Sequence, residues 1–172
     1  MKRMAKFEKV SLERFVKDYR DIFGWMSNDE YINKIYNNIK LPKRTTKGSA
    51  GQDFYSPIDA TIFPGQSIKI PTGVRVNIDD GWVLKCYPRS GLGCKYRLQL
   101  DNTVGIIDSD FFYSDNEGHI FAKITNDSKD GKILHLKAGD RFMQGIFVEY
   151  GITYDDDATE TRNGGLGSTG KQ

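Results

Sequence analysis

From Ala50 to Tyr150 the chain is written in short apolar runs punctuated by turn residues, and this spacing constrains its fold more than any other feature. The runs are Ile58–Phe63, Ser67–Ile70, the alternating Val74, Val76 and Ile78, Trp82–Tyr87, Ile120–Thr125, Ile133–Leu136 and Phe142–Tyr150. Pro64-Gly65, Pro71-Thr72-Gly73 and Asp79-Asp80-Gly81 separate the early ones. Runs of this length, bounded by tight turns, are strands. No helical period lies between them to carry parallel crossovers, so the strands pair antiparallel and the expectation is an all-β sandwich or barrel.

Residues 11 to 39 follow a different period. Leu12, Phe15, Val16, Tyr19, Ile22 and Phe23 make one apolar stripe on a helix that Ser11 is placed to cap and Gly24 to end. Ser27-Asn28-Asp29-Glu30 has the form of a capping box opening a second helix, with Tyr31, Ile32, Ile35, Tyr36 and Ile39 on one side. Such stripes usually pack, so the helical pair is expected to cover the main domain; an arm for a protein partner is the alternative. Pro42 stops the pattern. After Tyr150 the apolar runs cease, and Asp155–Asp157 followed by a glycine-rich end reads as an extended, mobile arm. Three parts result: a helical N-terminal extension over 1–40, a β-domain over 41–150 and a C-terminal arm over 151–172.

With 172 residues, 38% hydrophobic and 28% charged, the chain can bury one core. No apolar run approaches membrane-spanning length, and Met1–Met4 has no apolar stretch of a secretory signal behind it, which points to the cytoplasm. Cys86 and Cys94 are too few for a disulfide framework and are not spaced as zinc ligands, so both read as reduced and structural. A net charge of +2 without a long basic run argues against duplex nucleic acid and leaves a small anion as a ligand.

The chemistry-bearing stretches suit such a ligand. Asp101–Asp110 reads as a hairpin, with Val104, Ile106 and Ile107 on its buried side and Asn102, Asp108 and Asp110 at its ends. A carboxylate at Asp108 can hold and deprotonate a water, and the Asn102 amide offers a donor and an acceptor to a base edge. Pro88–Gly93 combines glycines, the Ser90 hydroxyl and the Arg89 guanidinium, a set that binds phosphate. It is no nucleophile elbow, because Pro88 stands where that pattern needs glycine. Gly139–Gly145 places Arg141 and Gln144 at a strand entrance, and Gly164–Gly170 looks like a phosphate-cradling loop without the Lys-Ser/Thr ending or following helix of a P-loop.

In order along the chain, these stretches resemble the five motifs of the trimeric dUTPases (deoxyuridine 5'-triphosphate nucleotidohydrolases). Ala50–Phe54 corresponds to the first, Pro88–Gly93 to the second, Asn102–Asp110 to the third, Gly139–Gln144 to the fourth and Gly164–Gly170 to the fifth. The resemblance implies an all-β jelly roll (β-clip) with an N-terminal helical extension, and hydrolysis of dUTP to dUMP and pyrophosphate. That reaction removes dUTP and supplies dUMP for dTMP synthesis. Asp108 would hold the water that attacks the α-phosphorus. Mg²⁺ would ride on the triphosphate and meet the protein through waters, with no direct protein ligand. Asn102, with the backbone of Gly105 and Ile107, would read uracil, and Phe111 would lie under the deoxyribose where the family usually has Tyr. Arg89, Ser90, Gly91, Gln144, Ser168 and Thr169 would hold phosphates, with Arg162 a further phosphate contact and Asp53 paired with Arg141 as support. Leu166 stands where the family has Phe closing over the base, and Gly167 follows it.

The resemblance also implies a homotrimer whose sites draw on three subunits, with no nucleic acid and no membrane as partner. A dCTP deaminase-like enzyme is the nearest rival, although the third motif carries no added Glu to serve it. The other is a nucleotide-sensing regulatory protein whose helices contact a partner. His119 and His135 lack evident partners in the sequence and read as structural.

Overall fold

In the computed structural model, which describes residues 2–162, the chain opens with a strand, β1 (Ala5–Lys9). Two helices follow, α1 (Leu12–Phe23) and α2 (Asp29–Asn37). Then come β2 (Gln52–Tyr55), β3 (Ala60–Ile62), β4 (Ser67–Pro71), β5 (Val74–Ile78) and β6 (Trp82–Pro88). A short helix, α3 (Ser90–Tyr96), leads to β7 (Leu98–Leu100) and β8 (Gly105–Ile107). A 3₁₀ turn over Ser109–Tyr113 precedes β9 (Phe121–Asn126), β10 (Leu134–Leu136) and β11 (Arg141–Glu149). Every apolar run named from the sequence becomes a strand.

All pairings of these strands are antiparallel, in the orders β2-β11-β6-β8, β4-β9-β7, β1-β5 and β3-β10, and the fold is a jelly roll. Phe54, Leu84, Ile70, Ile124 and Phe142 lose essentially all solvent contact between the sheets. Burying an aliphatic or aromatic side chain of this kind is worth about 1.5–3 kcal/mol, so this core supplies much of the driving force for folding.

Several local readings change. The N-terminal extension is not helical throughout: the alternating Ala5-Lys6-Phe7-Glu8-Lys9 is a strand because it zips onto β5, Phe7 opposite Val76. Ser11 caps α1 as expected, its Oγ accepting from the Arg14 N–H at 3.1 Å. The second helix is capped by Asn28 rather than Ser27, because the Asn28 side chain reaches the Glu30 N–H at 2.7 Å. Of the two stripes, Phe15, Tyr19, Ile32, Ile35 and Ile39 are buried, whereas Leu12, Phe23 and Tyr31 remain exposed. Phe15 and Ile39 press on Gly73, which has φ +69°; a Cβ there would stand 2.2 Å from Ile39 Cδ1 and 3.3 Å from Phe15 Cδ2. Only glycine fits this point.

Asp101–Asp110 is not a paired hairpin. β7 bonds to β9 and β8 to β6, so the segment carries the chain from one sheet to another, with Thr103 at φ +65° in the turn. Ile106 consequently faces solvent, not the core. Cys86 is buried and Cys94 exposed, both as free thiols. Residues 151–162 contain no strand or helix, and the motif at Gly164–Gly170, with Leu166, Gly167, Ser168 and Thr169, lies outside the described residues. Among the described residues, no helix is long and apolar enough to cross a membrane.

Candidate active site

The site residues gather in two groups. The first forms where β2, β6 and β11 end together. Asp53 on β2 pairs in register with Gln144 on β11, which sets its carboxylate beside the chain leaving β6. That carboxylate is one-tenth exposed and meets two guanidiniums, Arg89 Nε at 3.0 Å and Arg141 Nη1 at 3.2 Å. The Thr45 hydroxyl donates to the same carboxylate at 2.7 Å. Paired and hydrogen-bonded in this way, a buried carboxylate is tolerated, and it aims both arginines. The expected Asp53–Arg141 pair is present, and the Asp53–Arg89 pair joins it.

Pro88–Gly93 is less of a loop than the sequence suggests. Arg89 is the N-cap of α3, its carbonyl accepting from the Gly93 N–H at 2.9 Å, so Ser90 and Gly91 occupy the first turn of that helix. The Arg89 side chain makes no capping hydrogen bond, and Ser90 stands exposed on that turn. Gln144 reaches across from β11, its amide 3.4 Å from the Pro88 carbonyl, and its Oε1 fills the space beside Gly51. Arginine, hydroxyl, amide and free backbone N–H groups in one place form an anion-binding surface.

The second group surrounds a cavity of about 80 Å³ beside β8. Asn102, Gly105, Ile107, Phe111 and Arg162, all expected from the sequence, line it. Gly105 stands opposite Cys86 on β6, and a Cβ on it would lie 3.1 Å from the Cys86 Cβ, so the glycine lets the two strands approach. Asp108 caps the 3₁₀ turn, accepting the Phe111 N–H on its carbonyl at 3.2 Å, and this fixes Phe111 as a buried wall. The Asp108 carboxylate is two-fifths exposed. Arg162 crosses it, Nη2 donating to Asp108 Oδ2 at 2.5 Å and Nε to Asp110 Oδ1 at 2.9 Å.

The cavity wall also holds residues outside the expected set, among them Cys86 and His119. Cys86 forms part of the wall, and burial pushes its thiol up to about 12, so it stays protonated and apolar in character. His119 is wholly buried and also faces the cavity. The reading of His119 as partnerless is wrong: its Nδ1 lies 2.6 Å from Asp18 Oδ2 on α1, and its Nε2 accepts the Gly73 N–H at 2.8 Å. Those partners stand far away in sequence, so local pattern carries no trace of them. His135, too, has a contact, Nδ1 lying 3.2 Å from Thr61 Oγ1 across β3 and β10.

Among the described residues, no hydrogen bond or ion pair joins the Arg89, Ser90 and Gln144 group to the residues around the cavity. Nor do three or more His, Cys, Asp or Glu side chains converge on a point that would hold a metal ion. One region offers an anion surface; the other offers a small apolar cavity rimmed by an amide and a carboxylate.

The family model described as dUTPase matches residues 37–170. A deoxyuridine 5'-triphosphate nucleotidohydrolase of Lactococcus lactis is 37% identical over 145 residues, covering 82% of this chain and 95% of the relative. One from Shigella sonnei is 35% identical over 147 residues, covering 81% and 93%. The crystal structure of a dUTPase from Streptococcus mutans superposes with a TM-score of 0.63 at 32% identity, covering 86% of this chain and 97% of that one.

Proposed function

This chain belongs to the dUTPase family, and on that premise we propose that its hydrolysis of dUTP to dUMP and pyrophosphate runs through a water held by Asp108. The observation that carries this reading is the position of the Asp108 carboxylate, part-exposed at the rim of the cavity walled by Asn102, Gly105 and Phe111. A nucleoside triphosphate whose base and sugar sit there presents its α-phosphorus to the rim. Asp108 takes a proton as the water oxygen bonds to that phosphorus, and the bond to the bridging oxygen breaks in line, releasing pyrophosphate with its electron pair. No protein nucleophile is needed.

Asn102 and the β8 backbone read the uracil edge, and the Phe111 ring fills the floor where a 2′-hydroxyl would need room. The anion surface of Arg89, Ser90, Gly91 and Gln144 serves the phosphates, with Asp53 holding Arg89 and Arg141 in aim. The donor set suits a cation that arrives on the triphosphate, since Asp108 and Asp110 are the carboxylates at hand and Arg162 engages both. Mg²⁺ bound there supplies neutralisation of the charge that builds on the departing pyrophosphate. Among the described residues the phosphate group and the cavity are not joined, and this supports a homotrimer in which neighbouring subunits complete each site.

The test is pyrophosphate release from dUTP, dCTP, dTTP, dATP and UTP with Mg²⁺. Turnover of dUTP alone is expected. Turnover of dCTP, or of none of the five, would overturn the reading.

A further inference from the structure

The helical pair reaches the nucleoside cavity from behind. The family match begins at residue 37, so α1 and nearly all of α2 precede it, yet Asp18 on α1 is buried and holds a residue of the cavity wall. The path is short. The Asp18 carboxylate accepts from His119, and Arg14, one turn earlier on α1, donates its Nε to the same carboxylate. Because the Gly73 N–H donates to Nε2 of His119, the imidazole proton sits on Nδ1 and points at Asp18. The ring is thereby fixed in tautomer and in plane. It lies against Phe121, ring centroids 4.4 Å apart, and both rings line the cavity that Phe111 walls.

A second contact ties the same helix to the segment that shapes the wall. The Ser11 backbone N–H donates to Glu117 Oε2 at 2.8 Å, and its hydroxyl to Oε1 at 2.6 Å. Glu117, at φ +59°, and Gly118, at φ +70°, fold the chain back over the 3₁₀ turn. A Cβ on Gly118 would stand 2.9 Å from the Phe111 carbonyl oxygen. The residues between Asp110 and Ile120 thus seat the helix on one side and hold Phe111 on the other. Phe15 and Ile39, pressed on Gly73, complete the brace.

We propose that Asp18 is a positioning residue of the nucleotide site: acting through His119, it holds the wall beneath the deoxyribose, so that the N-terminal helices are part of substrate recognition. This rests on the dUTPase reading above. It assigns Asp18 no contact with substrate and no part in proton transfer.

The test compares the full-length chain with Asp18→Ala, Asp18→Asn and Glu117→Ala, measuring KM and kcat for dUTP, the ratio of kcat/KM for dUTP over UTP, and melting temperature. Asp18→Ala removes the acceptor for the His119 proton. It is expected to raise KM at least fivefold, to lower kcat by less, and to narrow the preference for dUTP over UTP. Asp18→Asn keeps an acceptor oxygen and is expected to restore most of both. Glu117→Ala, a milder release of the same helix at a less buried point, is expected to raise KM about twofold, so the result stands even where Asp18→Ala folds poorly. A lowered melting temperature with KM and the dUTP/UTP ratio unchanged in both Ala variants would make the contact merely structural and overturn the proposal. A wild-type chain that releases no pyrophosphate from dUTP would overturn the functional reading itself, and this one with it.

Discussion

Arg162 lies across Asp108, its Nη2 donating to the carboxylate Oδ2 at 2.5 Å while Nε holds Asp110 at 2.9 Å. The side chain that the family resemblance marks for phosphate thus engages the two carboxylates at the cavity rim. Both ends are part-exposed, so the pair is screened and readily exchanged. A triphosphate, with more oxygens and more charge, competes well for the guanidinium.

Replacing Asp108 by Asn keeps the shape of the 3₁₀ cap, which uses the backbone carbonyl, and removes the proposed base. Turnover of dUTP should fall by about 10²-fold or more while binding persists. Single-turnover kinetics with a parallel binding titration checks it. Near-normal turnover would assign activation of the water to another group.

Asp53→Ala strips the common partner from Arg89 and Arg141. Both guanidiniums retain water access, about one-third exposed, so the loss should be near that of an ordinary unsatisfied polar group, about 1–3 kcal/mol. At this chain length that is about 2–4 °C in melting temperature for each kcal/mol. KM should rise with it, because Arg89 loses its aim. A stable variant with normal KM would show that Asp53 supports nothing.

His119 should make stability depend on pH. Burial drives its pKa below the ordinary 6.5, as does Arg14, against the opposing pull of Asp18 and Glu117. A depressed folded value means that the unfolded chain binds more protons as the pH drops below 6.5. The stabilisation is fully present above that value and is lost as pH falls through the folded pKa. Asp18 acts the same way lower down: burial raises its carboxyl, but hydrogen bonds from His119 and Arg14 outweigh this and hold it below 3.8. Melting temperature should therefore decline on acidification from pH 7.5 to 5, and His119→Gln should flatten that slope. Equal slopes would remove His119 as the cause.

Sedimentation should return three times the chain mass. Tyr150, Ile152 and Tyr154 stand exposed along the segment that follows β11, and Ile106 beside the cavity is half exposed. Apolar side chains of this kind at the head of the C-terminal arm suit burial against a neighbouring subunit. An active monomer would require every site to be completed within one chain.

Periodicity and punctuation alone determined seven of the strands, β3 to β6 and β9 to β11, because a period of two with turn residues at its ends is a property of neighbours along the chain. The same holds for α1, whose cap and stripe lie within one short stretch, and for the carboxylate, amide, arginine and glutamine of the site, which belong to compact motifs. Other features needed the folded chain. Ala5–Lys9 carries two lysines and a glutamate and is a strand only because β5 presents an open edge to it. Asp101–Asp110 has the letters of a hairpin, but its flanking strands found better partners in β6 and β9, and that sent Ile106 outward. His119 became a cavity residue through Asp18, 101 positions away, and Gly73, 46 away. A buried polar group must take its hydrogen bonds from whatever the fold brings beside it, and tertiary packing alone decides which residues those are.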